Sequence, residues 1–350
     1  MAGAKQQDRI FESVLNNSRN ISDKYYNDLA LQTELSDDPT VFDDLLDNMR
    51  KRMQDNGGIK RISSIVAAAV EKVEQEHSAG QIAAVDGTDA ISPTEVMSKT
   101  VYAVGVISTT AQTLHDPRIS ITESHRQIPQ LVKDEDFFAF LDELDAWVDK
   151  DHSWVRSFRE HCERKEAIRL IDEHNISLVL VDGPLYTQNL LTQSTARADI
   201  LSAMQKHSDR LIGFIKNLHS SKIMHLAGMA LRPDEYWTVN SWRDVLAKRF
   251  ADDRDKIDWI NNASSDWGRT IYRKNAKAFA FECHPGLVDM GVALIASPIA
   301  CAATINHEIP FLLHCADRIV QARLAAAAKS ENLISALPYY ANLANERTFR

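Results

Sequence analysis

Apolar positions change their period along this chain. Over residues 8–77 they recur at helical spacing: Val41, Leu45, Leu46 and Met49 fall near three and four residues apart before Asn56-Gly57-Gly58 interrupts them. A second helix is expected over 62–75. From residue 81 the runs become short, β-branched and separated by turn residues, so 81–85, 101–109 and 118–122 predict three successive strands. Helical stretches over 134–149 and 154–173 lead into a strand over 176–181, which makes the order βββαβ. Beyond it come a helix over 195–206, a strand over 211–215, helices over 220–230 and 241–250, strands over 269–273 and 277–282, and a helical carboxyl region holding 310–328. No internal repeat or low-complexity linker divides the chain. The expectation is one compact α/β domain over 78–350, a mixed sheet flanked by helices, carrying a helical amino-terminal extension over 1–77.

Two of the strand-like runs end in the same pair, Asp86-Gly87 and Asp182-Gly183. Asp-Gly is also a common turn pair, and a single copy needs no functional explanation. Here, however, nearly all of the residues before each acid are apolar, as central strands require, and an acid at the carboxyl end of such a strand is partly desolvated. Open α/β sheets place their sites at that edge. If the two strands are neighbours the carboxylates meet, and paired carboxylates on a rigid sheet bind divalent metal and support phosphoryl chemistry.

Further candidates follow from helical spacing. Leu313 and Val320 lie four before and three after Asp317, which puts this acid on an apolar stripe, where it needs a partner. A helical ion pair to Arg323 is the alternative. The helix feeding the Asp182 strand carries Glu160, Glu163 and Glu166; spacing does not choose among them, and Glu163 and Glu166 lie nearer the strand. Glu123, ending the third strand, is a substitute. Lys216 closes the strand over 211–215, either as a plain surface lysine or as a cation for a phosphate. Tyr272 and Arg273 on a late strand are candidates to stack on and contact nucleic acid.

Composition narrows the class without naming the chemistry. The chain has 350 residues, 44% hydrophobic and 25% charged, which suits a soluble folded protein. A formal net charge of -9 provides no global basic field, so DNA would need a local groove or an oligomeric channel. Cys162, Cys283, Cys301 and Cys315 form no CxxC pair, which argues against a zinc site or disulfide framework and for a reducing cytoplasm. The longest apolar stretch, 292–303, is too short and interrupted to span a bilayer. There is no phosphate loop of the GxxxxGK[ST] type, no GxGxxG, no HExxH and no GxSxG elbow.

A strand ending in Asp, two more strands, a helix bearing Glu, a strand ending in Asp and a late helix bearing an acid form the layout of the ribonuclease H-like nucleases. Within that group the chain resembles the NurA nucleases. The matching segments are Ala83-Ala84-Val85-Asp86-Gly87-Thr88, Leu178-Val179-Leu180-Val181-Asp182-Gly183-Pro184-Leu185, Ile212-Gly213-Phe214-Ile215-Lys216 and Ile309-Pro310-Phe311-Leu312-Leu313 through Ala316-Asp317. The resemblance runs over 81–325 and implies a ribonuclease H-like fold. It also implies a Mn²⁺- or Mg²⁺-dependent nuclease acting on DNA ends, a homodimer, and a HerA-type hexameric ATPase as partner. It places the family's first acid on Asp86, its central acid on Asp182, its helical glutamate on Glu163 or Glu166 and its late ligand on Asp317. Histidine is common at that late position, with His307 and His314 as substitutes here, and the family's tyrosine is assigned to Tyr272. The residues fit two ions about 4 Å apart, bridged by Asp86, in an in-line phosphodiester cleavage.

Two other classes compete. An actin-like or sugar-kinase-like phosphotransferase also uses strand-end Asp-Gly loops. A non-catalytic adaptor would keep the fold to dock on a motor ATPase, through the amino-terminal helices and the aromatic stretch Phe137, Phe138, Phe140 and Trp147.

Overall fold

The computed structural model describes residues 39–94, 99–127, 137–187, 190, 195–218, 221–275, 277–301 and 308–329. Among these residues nine strands form one mixed sheet. At its centre β2 (Ile82–Thr94) pairs antiparallel with β3 (Lys99–Thr110), and β3 with β4 (Arg118–Gln127). On its other side β2 is parallel to β5 (Leu178–Asp182), and β5 to β6 (Leu211–Ile215). This five-strand order, β4-β3-β2-β5-β6, with its second strand reversed, is the ribonuclease H-like arrangement. Beyond β6 the sheet continues antiparallel through β9 (Ala278–Cys283), β8 (Gly268–Arg273), β7 (Glu235–Val239) and β1 (Ile59–Arg61).

Strand alternation builds two cores. Ala83, Val85, Val179, Val181 and Leu211 face one way, onto the 38-residue helix α3 (Phe137–His174) through Leu170 and Ile171, together with α1 (Pro39–Asp55), α4 (Thr195–Lys206) and α5 (Lys222–Ala230). Ile82, Ala84, Leu178, Leu180, Ile212 and Phe214 face the other way. They meet Val292 to Ile295 of α8 (Val288–Ala296), Leu312, Leu313 and Ala316 of α9 (Phe311–Lys329), and Val73 of α2 (Ala67–Ser78). The central strands are therefore covered on both faces, which explains why their sequences are nearly continuously apolar. Among the described residues no helix is long and apolar enough to cross a membrane.

Several elements depart from expectation. The helices expected over 134–149 and 154–173 are one continuous helix, because no glycine or proline separates them. Residues 59–61 form an edge strand rather than a break between helices, and Met53 and Ile62 are buried in the two cores, so the described part of the 1–77 segment is built into the main sheet. Strand β7 and the helices α6 (Trp242–Arg249) and α7 (Arg254–Asn261) complete the region between β6 and β8. β2 does not end at Asp86. It continues to Thr94 because β3 keeps pairing with it, while its parallel pairing with β5 stops at Val85 opposite Val181.

Candidate active site

That register brings the two acids together. With Val85 opposite Val181, Asp86 and Asp182 are the next residues on adjacent parallel strands, at the edge where β5 ends. Both have the alternation of Ala84 and Leu180 and so lie on the α9 side of the sheet. They line one cavity of about 190 Å³ together with Glu160, Glu163, Asp317, Arg159, Arg164 and Gln321.

The glycine after Asp86 explains how an acid from the opposite face joins them. A Cβ on Gly87 would stand 2.5 Å from Glu163 Oε1 and 2.9 Å from its Cγ, so any larger residue would push that glutamate out of place. Glu163 comes from α3, where Arg159, Glu160, Glu163 and Arg164 recur at helical spacing on one stripe. Past Asp182 the chain turns sharply, with Gly183 at φ +84° donating its N–H to the Phe214 carbonyl at 2.8 Å. Gly213 on β6 admits that turn, since a Cβ there would stand 2.6 Å from the Gly183 carbonyl oxygen. The buried Arg164 then holds both parts of the site, donating to the Pro184 carbonyl at 2.6 Å and to Glu163 Oε2 at 3.2 Å. From below, Leu185 N–H donates to the fully buried Glu282 at 2.8 Å, and Glu282 is paired with Arg269.

Electrostatically the cavity is short of cations. Asp86 is 3% exposed; its Oδ1 accepts the Gly87 N–H at 2.8 Å, while Oδ2 is buried with no hydrogen-bond partner among the described residues. Burial, and then the Asp182 carboxylate, push the Asp86 carboxyl well above the ordinary range, with Lys216 pulling the other way. Burial likewise pushes Glu163 up to about 7, against the opposing pull of Arg159 and Arg164. Lys216 Nζ lies 3.1 Å from Asp182 Oδ1 and 4.0 Å from Asp317 Oδ1. Burial works against its charge, but Asp182, Asp86 and Asp317 together hold its pKa above the usual lysine value. Asp317 also accepts from Gln321 Nε2 at 2.8 Å.

Asp86, Asp182, Asp317, Glu163 and Lys216 are thus brought to one place. Glu160 joins them, its carboxylate accepting from Thr187 Oγ1 at 2.6 Å. Glu166 does not: it is held between Arg169 (2.7 and 2.8 Å) and Ser108 Oγ (2.6 Å), away from the cavity. Tyr272 is also not at the site. It is fully buried, stacked on Phe279 with ring centroids 5.8 Å apart, and donates to the Glu308 carbonyl at 2.8 Å, so it offers no face to a nucleic acid. Arg273 lines a separate cavity. His314 lies on α9, and Asp317 sits beside the stripe of buried Leu313, Ala316 and Val320. His307 and the side chains of Glu123, Arg323 and the 137–147 aromatics lie outside the described residues. Arg159, Arg164 and Thr187 were not among the candidates, although Arg159 and Arg164 lie on the same helical stripe as Glu160 and Glu163.

A carboxylate oxygen buried without a donor among the described residues, with four further acids around it, is chemically suited to a hard divalent cation. Among the described residues no three acid, histidine or cysteine side chains are already drawn into a metal shell. Lys216 takes the position between Asp182 and Asp317 instead.

Comparison with known proteins adds the lineage. A search of curated proteins found no match. Similar solved structures include the NurA nuclease from Sulfolobus solfataricus, with 10% identity over 78% of this chain and 94% of that one, at a TM-score of 0.44. They also include a NurA bound to dAMP and manganese, with 9% identity over 78% and 96% at 0.43, and endonuclease V from Bacillus subtilis, with 13% identity over 71% and 83% at 0.34. Assignment rests instead on sequence: the NurA domain family model matches residues 21–249, a span that contains Asp86, Glu163, Asp182 and Lys216 and stops before Asp317. With well over half its length inside that match, the chain belongs to the NurA family.

Proposed function

We propose that this protein is a divalent-metal-dependent DNA nuclease whose active site is the acid cavity at the β2–β5 edge. The observation that carries the reading is the convergence of Asp86, Asp182, Glu163 and Asp317 around a buried carboxylate oxygen that has no hydrogen-bond donor among the described residues. Asp86 and Asp182 would hold Mn²⁺ or Mg²⁺, with Glu163 and Asp317 at the outer positions. A bound ion of this kind supplies charge that activates water and stabilises the leaving oxygen.

The chain's own groups do the rest. Asp86 and Asp182, raised on adjacent strands, fix the site's centre to the rigid sheet. Glu163, pushed up to about 7 by burial while no cation is present, would ionise fully beside one and so add its charge to the ion's shell. Lys216 compensates the acids while no cation is present, and its ammonium is free to turn to a phosphate oxygen once their charge is matched otherwise. Arg164 keeps Glu163 and the Asp182 turn in register. Family membership supports the further reading that the protein processes DNA ends as a homodimer in the cytoplasm with a HerA-type hexameric ATPase.

Digestion of end-labelled linear DNA with Mn²⁺ or Mg²⁺ tests the proposal. The wild-type protein is expected to degrade the DNA, and Asp86→Asn and Asp182→Asn each to lose about 10³-fold or more of that activity while staying folded. Full activity in either variant removes that residue from the site. Tight ATP binding without DNA cleavage would instead favour a phosphotransferase, and ATPase binding without either activity an adaptor.

A further inference from the structure

Two residues past Lys216 the chain enters the wall of a second cavity. This space, about 270 Å³, lies among Leu218 after β6, His225 and Met229 of α5, and Arg273, Lys277 and Ala278 where β8 turns into β9. Strand register places it on the same edge of the sheet as the acids. Ile215, the last residue of β6, pairs with Ala280, and Arg273 pairs with Ala278, so the end of β6, the end of β8 and the start of β9 reach this edge together. Along that edge β8 stands three strand spacings from β5, with β9 and β6 between them, which is about 14 Å.

Its chemistry is the reverse of the acid cavity's. Among the described residues no acidic side chain lines it, although the whole chain carries a formal charge of -9. Arg273 is fixed in place, donating through Nη1 to the Leu231 carbonyl at 3.0 Å and through Nε to the Asn275 carbonyl at 3.3 Å. Carbonyls orient a guanidinium without neutralising it, so its charge and its Nη2 donors remain for a ligand. Lys277 is exposed, with its ammonium 5.3 Å from the Phe279 ring centroid. Neither Arg273 nor Lys277 makes an ion pair among the described residues. Leu218, Met229 and Ala278 add an apolar floor, which suits a sugar or base carried with the anion.

The geometry points to a subsite in which Arg273 and Lys277 bind a backbone phosphate of the DNA strand whose cleavage occurs at the acid cavity. This deepens the nuclease reading and rests on it. Stacked nucleotides advance about 3.4 Å along a strand, so a separation of about 14 Å places the bound phosphate about four nucleotides from the scissile one. A fixed arginine and an adjacent lysine give charge with partial geometric selectivity, and they position the strand without reading its sequence.

An oligonucleotide length series tests this in the full-length protein with Mn²⁺. For the wild type, KM is expected to fall as single strands grow from two to about six nucleotides. Lys277→Glu should raise KM on the hexamer about tenfold or more, leave kcat/KM on the dinucleotide within about twofold, and leave melting unchanged, because the side chain is exposed; Lys277→Arg should retain the length dependence. Binding is read separately by fluorescence anisotropy of a labelled single strand in the Asp182→Asn background, where Lys277→Ala should lower the slope of log affinity against log salt by about one. An unchanged length series and salt slope in the Lys277 variants would overturn the subsite while leaving the nuclease reading intact. Lys277-dependent binding by a wild-type protein that cuts no strand of any length would overturn the nuclease reading instead.

Discussion

Glu163 and Glu166 sit one turn apart on the same helix, yet their surroundings differ completely. Glu166 is clasped by the Arg169 guanidinium through both oxygens and by Ser108, and these bonds hold its carboxyl below the ordinary value although burial works against its charge. Glu163 is buried beside other acids, two arginines do not fully offset that burial, and its carboxyl is pushed up to about 7. The same contrast holds across the molecule. Arg50 and Glu235 meet through two hydrogen bonds of 2.7 Å that tie α1 to β7, and Arg269 and Glu282 pair beneath the loop after Asp182. In those places each acid has a fitted basic partner. At the edge of β2 and β5, among the described residues, the acids outnumber their cations and an oxygen of Asp86 has no donor. Burial of charge is costly wherever it occurs, so where acids lack fitted partners they point to a ligand that completes them.

Substitutions should separate the two kinds of region. Glu282→Ala leaves Arg269 buried without its acid and the Leu185 N–H without its acceptor, and should cost about 3–5 kcal/mol by denaturant unfolding, the largest structural effect expected. Loss below about 1 kcal/mol would mean that this pair does not anchor the Asp182 loop. Gly87→Ala acts on the site rather than the fold. Its methyl group must displace Glu163, and a misplacement of about 1 Å is enough for a loss of about 10²-fold in DNA cleavage. Retained cleavage would show that Glu163's position does not matter to the reaction.

Glu166→Gln should have the smallest effect, about 1–2 kcal/mol at pH 7, with cleavage within about twofold of wild type. Its pH dependence carries a definite sign. A carboxylate depressed in the folded state contributes stability above its unfolded value, near 4.5, and loses it as pH falls through the lower folded value. The difference in stability between wild type and variant should therefore shrink as the pH is lowered through that window. A gap that stays constant with pH would mean that the Arg169 contact does not depend on the charge of Glu166.

The parts of this site that sequence made legible are those with strand periodicity behind them. Apolar runs before Asp86 and Asp182 announce central strands, and the alternation along them fixes the face on which each acid stands. Asp317 follows from its place beside Leu313 and Val320. The helical glutamate was not decided, because Glu163 and Glu166 differ by one turn, and the choice depends on where α3 crosses the sheet edge and on Arg169 and Ser108 waiting for one of them. Tyr272 misled for a related reason: what buries it is Phe279 from the next strand and the backbone at Glu308, neither visible from its own strand. The short strand β1 escaped because three residues carry no period, and β7 supplies its register.

The central claim is that acids from β2, β5, α3 and α9 form a site for a divalent cation. Calorimetric titration of Mn²⁺ into the metal-free wild-type protein and into Asp86→Asn tests it without relying on DNA. The account predicts saturable binding to the wild type, and about tenfold or greater weakening in the variant, which stays folded. Equal Mn²⁺ binding by both proteins, or no binding by the wild type, would contradict it.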